Sequence, residues 1–317
     1  MEQRVCQHES VRKLNFDRPT YAVIKSDMAQ LLDGKKSAQN LLDELKATIS
    51  TTLAADPSKE APCLAILQVG ANPASAAYIR RKIKIADEIG ASTKHISLSS
   101  DTSEEEIRRQ VKRLAEDSAV DALIVQLPLD QKQVSSSKWV HETLEMIPPV
   151  KDADGLHTQN LGHLAAGSST PSHWTAPLPA TAYGIMDLLN FYKVPLLGKR
   201  ILILGKSRLV GMPTAQLLMH AGGTVSVAHS KSGDWSDLSR NADVIVAAAG
   251  VKHLLKPEQI KEGVVLVDVG IHRDEDGLTG DIDHGCYEKA GSYSPVPGGV
   301  GQMTVACLMA NLVNLWK

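Results

Sequence analysis

Tyr78 and Lys82 stand four residues apart in YIRRK, a spacing that puts both on one face of a helix. Most such pairs are surface decoration. This one gains interest from two polar residues elsewhere in the chain. Gln126 closes the apolar run VDALIVQ, and a polar side chain at the carboxyl edge of a buried strand faces the ligand crevice of open α/β sheets. Asp154 lies in KDADG, where it either reaches a cleft or merely shapes an Asp-Gly turn.

A second constellation points to a phosphate. The strand RILIL runs into GKSRLVGMP (205–213) and then a helix. A glycine-rich turn at a helix N-terminus offers free N–H groups and a favourable dipole to a pyrophosphate. The spacing is not G-x-G-x-x-G, so the turn alone could also be a tight turn with no ligand. The next strand ends in His229, Ser230 and Lys231, with no carboxylate for a ribose diol. Lys206 and Lys231 instead suit a 2′-phosphate, which favours NADP over NAD. In SPVPGGVGQMT (294–304) the glycines let backbone approach a ligand, and Thr304 is expected to cap the last helix. The eleven histidines form no HExxH, and no metal is expected. No GxSxG elbow or Cys/His pair is present.

The elements that must position these residues alternate strand and helix. Helices are expected at 38–54, 74–90, 103–116, 181–192, 211–221, 236–241, 256–261 and 302–316. Strands are expected at 62–69, 93–98, 120–127, 200–204, 224–228, 243–248 and 264–269. The stretch 147–180, rich in Gly, Pro, Ser and His, reads as a linker with surface loops. The fold class is α/β: two α/β domains, the second a Rossmann-type parallel sheet, with a cleft between them. The 317 residues accommodate both.

Hydrophobic residues make up 43% and charged residues 22%, with a net charge of -2, so no basic field points to nucleic acid or an acidic membrane. No apolar run spans a bilayer, and residues 1–27 lack the apolar core of a secretory signal. They read as an N-terminal extension, with Met28 opening the compact part. Cys6, Cys63, Cys286 and Cys307 are scattered and read as reduced thiols.

Taken together, LLDGK (31–35), YIRRKIKIADEIG (78–90), VQLPL (125–129), KDADG (151–155), GKSRLVGMP (205–213), AHS (228–230), DVGI (268–271), GDID (280–283) and PVPGGVGQMTVA (295–306) resemble the bifunctional methylenetetrahydrofolate dehydrogenase/cyclohydrolases, over residues 28–317. The resemblance implies a cytoplasmic enzyme of one-carbon and purine metabolism that uses NADP and forms a homodimer. It implies that Lys82 is the catalytic lysine, Gln126 its partner, Tyr78 the ring that stacks on folate and Asp154 the pterin ligand. Val125, Leu127 and Pro297, Gly298, Gly299, Val300 and Gly301 would contact folate. Gly205, Lys206, Ser207, Leu209, Val210, Ser230, Ile271 and Thr304 would hold the cofactor. The implied domains are 28–160 for folate, completed by helix 302–317, and 161–301 for NADP.

The chain departs from the family pattern in four places. Lys206 replaces the usual Arg. PCTPxG becomes Pro179-Ala180-Thr181-Ala182-Tyr183-Gly184. Asp130 follows VQLPL in place of Pro, and Gln302 replaces the Pro of VGPMT. A degenerate nucleotide-binding protein would explain the altered Ala180, Ala182 and Gln302. The retained Tyr78, Lys82, Gln126 and Asp154 argue for an enzyme, and PVPGGVG and VQLPL argue against a shikimate-type dehydrogenase.

Overall fold

The computed structural model describes residues 29–129, 136–275 and 277–316; the expectations for residues 1–27, Met28, Cys6 and Asp130 lie outside them. Strand β1 (Gln30–Leu31) leads into helix α1 (Gly34–Ala55), whose start is fixed by Asp33. The Asp33 carboxylate accepts from the amides of Lys35 at 2.8 Å and Lys36 at 3.2 Å. Then come β2 (Cys63–Val69), α2 (Pro73–Ile89), β3 (Ser92–Leu98), α3 (Glu104–Glu116) and β4 (Ala122–Val125). Helix α3 begins as its sequence dictates, with Ser103 as cap and three glutamates in the first turn. The three strands form a parallel sheet in the order β3-β2-β4, with Leu67 opposite Val125.

The stretch 147–180 is more ordered than a linker. Two short helices flank or occupy it, α4 (Ser137–Leu144) and α5 (Thr158–Ala165), with a 3-10 turn at Pro149–Lys151 between them. Eight-residue helices give barely two turns of periodicity, too little to stand out among Gly, Ser and His. One buried carboxylate orders the first part of the region, as the buried Ser169 hydroxyl orders residues 169–176. Asp152 accepts from the amides of Gly155 (3.1 Å) and His157 (2.7 Å) and from the Asn160 side chain (3.0 Å). Burial outweighs those donors and pushes its pKa up to about 6.

Helix α6 (Ala180–Phe191) opens the second half. It is followed by β5 (Arg200–Leu204), α7 (Gly211–His220), β6 (Thr224–Ala228), α8 (Ser236–Asn241), β7 (Val244–Ala247), β8 (Val264–Asp268), a hairpin of β9 (His272–Asp274) and β10 (Gly277–Thr279), β11 (Ala290–Ser294) and α9 (Val300–Leu315). The expected helix at 256–261 is a single 3-10 turn, Pro257–Gln259. The larger sheet has the order β1-β11-β8-β7-β5-β6 and is parallel throughout. It is doubly wound: the chain steps from β5 to β6 on one side, then crosses to β7 on the other. That reversal opens a crevice at the carboxyl ends of β5 and β7. Gln30 and Leu31 join this sheet at its far edge, so the chain touches the larger unit before building the smaller one.

Helices α6 and α9 are buried almost all round, from Ala182 to Leu189 and from Met303 to Leu312, as helices must be when they are apolar on every face. They pack on each other and on α1, and one continuous core joins the two sheets. Thr304 does not cap α9. The helix starts at Val300 after Gly299, and the Thr304 hydroxyl lies in the second turn, donating to the Val300 carbonyl and the Thr181 hydroxyl at 3.4 Å each. With Gly299 at its N-cap, the helix begins earlier than the Pro/Gly-rich sequence implies.

Candidate active site

Strand β4 ends at Val125, and the Gln126 amide still donates to the Leu67 carbonyl at 2.9 Å. This last sheet bond holds Gln126 at the strand's edge. Its Nε2 donates to the Leu127 carbonyl at 2.6 Å, which turns its Oε1 toward helix α2. There Lys82 donates its Nζ to Gln126 Oε1 at 3.0 Å. The lysine is only 8% exposed. Its burial lowers its pKa from the ordinary value, and the Asp154 carboxylate opposes that fall. Asp154 shows the mirror effect: burial raises its pKa and Lys82 opposes the rise. So Lys82, Gln126 and Asp154, spread over 72 positions of sequence, form one cluster of a recessed amine, a neutral acceptor and a carboxylate. Gly155 makes the Asp154 loop possible, with φ of +69° and a Cβ position only 2.3 Å from the Leu178 carbonyl carbon.

Tyr78 is one turn back on α2 and 38% exposed. It lines a cleft of about 830 Å³ together with Arg81, Asn72, Ile271, Gln302 and the Pro295–Gly299 loop. Pro297, Gly298, Gly299 and Gly301 of the expected contact loop are in that lining, whereas Val300 is buried beneath it. Lys82, Gln126 and Asp154 are not among the residues lining this cleft; they form a polar cluster where α2, the end of β4 and the Asp154 loop meet. Val125 is buried in the sheet, with Leu127 at the edge after it.

The glycine turn makes a second, separate hollow of about 320 Å³, lined by Gly205, Lys206, Ser207, His229, Ser230 and Trp235 among others. It lies at the crevice between β5 and β7. Gly205 has φ of +115°, and a Cβ there would fall 2.2 Å from the Ala248 carbonyl oxygen. A Cβ on Gly211 would fall 2.1 Å from the Gly205 oxygen. Ser207 Oγ accepts from the amides of Val210 (3.2 Å) and Gly211 (3.4 Å), which fixes the entry to α7. A glycine cradle, exposed Lys206 and Lys231, and the Ser230 hydroxyl are a donor set fit for a phosphorylated dinucleotide. Leu209 and Val210 shape the turn without lining the hollow, and Ile271 belongs to the larger cleft. Thr304 reaches neither lining.

Two groups of residues have roles that their sequence context does not announce. Asp268 and Asp281 staple the carboxyl ends of β7 and β8 to the hairpin. Asp268 accepts from the amides of Gly270 (3.1 Å), Asp281 (2.9 Å) and Ile282 (3.0 Å), and burial lifts its pKa to about 7. Asp281 accepts from the amides of Ala249 (2.7 Å) and Gly250 (2.8 Å) and meets His272 at 2.8 Å. The segments DVGI and GDID mark these positions but not their job. The other group is a brace. Arg208, within the glycine turn, donates to Glu145 Oε1 (2.9 Å) and the Leu156 carbonyl (2.6 Å), and meets His141. Glu145 in turn accepts from the Thr158 amide (3.0 Å) and faces His157 Nε2 at 3.4 Å. The brace ties the glycine turn to the loop that carries Asp154.

A doubly wound sheet with a phosphate cradle, joined through one core to a smaller α/β unit bearing a recessed lysine, defines a dinucleotide-dependent α/β enzyme. Comparison with known proteins narrows the class. A family model described as the tetrahydrofolate dehydrogenase/cyclohydrolase catalytic domain matches residues 32–154, and that of the same family's NAD(P)-binding domain matches residues 179–317. The chain belongs to this family. It is 38% identical over 289 residues to a bifunctional protein FolD of Magnetococcus marinus, covering 90% of this chain and 97% of the relative. A FolD relative in Flavobacterium johnsoniae is 40% identical over 294 residues, covering 89% and 95%. Among solved structures, the bifunctional FolD enzyme of Campylobacter jejuni superposes with a TM-score of 0.84 at 39% identity, covering 90% of this chain and 98% of that one. The Trypanosoma brucei dehydrogenase-cyclohydrolase, solved with NADP and an inhibitor, superposes with a TM-score of 0.83 at 32% identity, covering 91% and 97%.

Proposed function

We propose that this chain oxidises 5,10-methylenetetrahydrofolate with NADP and hydrolyses the resulting 5,10-methenyltetrahydrofolate to 10-formyltetrahydrofolate. The observation that carries the reading is the Lys82–Gln126 hydrogen bond beside Asp154, in a chain matched by both domain models of the family. Folate lies between residues 28–160, completed by helix 302–317, and the nucleotide unit of residues 161–301. Tyr78 stacks on the aminobenzoate ring, Asp154 binds the pterin, and Val125, Leu127 and residues 297–301 flank the substrate. Gly205, Lys206, Ser207 and Ser230 hold the cofactor, on a turn shaped by Leu209 and Val210, and Ile271 flanks it from the larger cleft.

When bound, NADP supplies the hydride acceptor. The folate nitrogens stabilise the cation left behind, so in this step the protein aligns. The hydrolytic step needs proton movement. Water adds to the methenyl carbon and gives a proton to the neutral Lys82 amine. The Lys82 ammonium then protonates the ring nitrogen as its bond to that carbon breaks, and the adduct's hydroxyl proton leaves to solvent as the formyl group forms. Burial makes the neutral amine accessible by lowering the Lys82 pKa, while Gln126 Oε1 holds the amine without adding charge. Asp154 keeps the amine from losing its proton for good.

The test is a spectrophotometric assay of purified protein with methylenetetrahydrofolate and NADP, with NAD in parallel. NADPH formation without build-up of methenyl product supports both activities; accumulating methenyl product removes the hydrolytic one. The same reading includes a homodimer in the cytoplasm that feeds one-carbon units to purine synthesis, which light scattering and cell fractionation check. No helix among the described residues is long and apolar enough to cross a membrane.

A further inference from the structure

The large cleft carries a charge that neither step uses. Arg81 follows Tyr78 by three residues on α2, so both line the same cleft. Its Nη1 donates to the Gly301 carbonyl at 3.5 Å, and its Nη2 donates to Gln302 Oε1. Both acceptors are neutral. Among the described residues no carboxylate pairs with Arg81. The one carboxylate in the cleft lining, Asp268, is occupied by three backbone amides. Partial burial also pulls the Arg81 pKa below its ordinary value, the mark of a cation short of compensation. Arg273, exposed, adds a second cation to the same lining.

A guanidinium with spare N–H donors, fixed in a mostly apolar cleft, is a ready receptor for a carboxylate, because its planar fork matches the two oxygens. The acceptor that fixes it is this chain's own. A residue without a side-chain oxygen at 302, such as proline, would leave Arg81 without this acceptor.

We propose that Arg81, held by Gln302, binds the carboxylates of the glutamate tail of the folate and sets the chain's preference among folates by tail charge. This rests on the reading that the cleft takes folate. The pterin and aminobenzoate are uncharged, and all of the substrate's carboxylates lie in the tail. The tail leaves the aminobenzoate ring directly, so a ring stacked on Tyr78 delivers it within one helical turn of that residue. Arg273 extends the cationic wall for longer, polyglutamylated tails.

The experiment measures dehydrogenase KM and kcat with three substrates: methylenetetrahydrofolate, its triglutamate, and methylenetetrahydropteroate, which lacks the tail. Wild type, Arg81→Met, Arg81→Lys and Gln302→Pro are compared, with melting curves to confirm folding. Fluorescence titrations with tetrahydrofolate and tetrahydropteroate run alongside. In wild type, loss of the tail is expected to raise KM and Kd about tenfold or more with little change in kcat. In Arg81→Met the tailless-to-tailed ratio falls close to one. Arg81→Lys keeps part of it, and Gln302→Pro lowers it in the same direction. A ratio that Arg81→Met leaves intact overturns the proposal, as does an equal loss for tailed and tailless ligands. Should wild type turn over none of the substrates, the activity reading fails, and the titrations still decide the role of Arg81.

Discussion

The two lysine sites of this protein use the same side chain in opposite ways. Lys82 is sunk between α2, which carries it, and the end of β4, holds one neutral amide oxygen and has its pKa drawn down by burial. Lys206 lines the glycine cradle and Lys231 follows Ser230 of its lining, both exposed to solvent. A buried amine can give and take a proton near neutral pH, and an exposed one stays a fixed positive charge. Burial therefore separates chemistry from recognition, even though the residue type is shared. In the proposed reading, the exposed pair contributes modest, salt-sensitive attraction, while the buried one carries the proton transfer.

The largest effect expected from this contrast falls on Lys82. Lys82→Met should lower methenyl hydrolysis by about 10²–10⁴-fold, with measurable NADPH formation remaining in a coupled assay. Equal loss of both activities, with folate still bound, would erase the distinction between proton transfer and alignment. Next comes Gly205→Ala, which must fit a Cβ 2.2 Å from the Ala248 oxygen at φ of +115°. A destabilisation of about 1–3 kcal/mol in chemical denaturation is expected, with NADP affinity reduced in the protein that folds. The same substitution at Gly250 meets no atom within 4 Å and, despite a φ of +69°, should cost less.

Asp154→Asn sharpens the comparison through pH. The anion raises the Lys82 pKa, so its removal lets that pKa fall further. The neutral amine then exists at lower pH, and the ascending limb of the hydrolysis rate against pH should move to the acidic side. A limb that stays in place would mean that Asp154 does not govern the amine's charge. Lys206→Ala should raise KM for NADP about fivefold to tenfold and leave KM for NAD nearly unchanged. The smallest effect is one of salt. KM for NADP should climb gradually with ionic strength, and the Lys82-dependent limb should hardly respond, because exposed charges are screened and buried ones are not.

Much of this contrast is legible in the amino-acid sequence. The strands that carry Gln126 and Gly205 are short apolar runs with clear ends, and helix α2 has both its periodicity and a closing glycine. Other features are hidden there for physical reasons. Helices α4 and α5 are too short to print a pattern, and the loop between them is ordered by a carboxylate, Asp152, that takes up backbone amides. Asp268 and Asp281 work in the same way: bonds from a side chain to backbone leave no periodic trace in sequence. Gln302 stands out as a departure, but its partner Arg81 lies 221 positions away, and only folding brings them together. The expected Thr304 cap fails because the helix starts a turn early, with Gly299 at its N-cap.

Arg208 has a thermodynamic consequence. Its guanidinium belongs to the cofactor turn, yet its bonds end on Glu145 and Leu156, beside the loop of Asp154. Ligands on either side of that brace share a coupling free energy. By linkage, whatever factor NADP applies to the affinity for folate, folate must return to NADP. Arg208→Ala would then cut both reciprocal factors toward one by the same amount, a symmetry that paired titrations read directly.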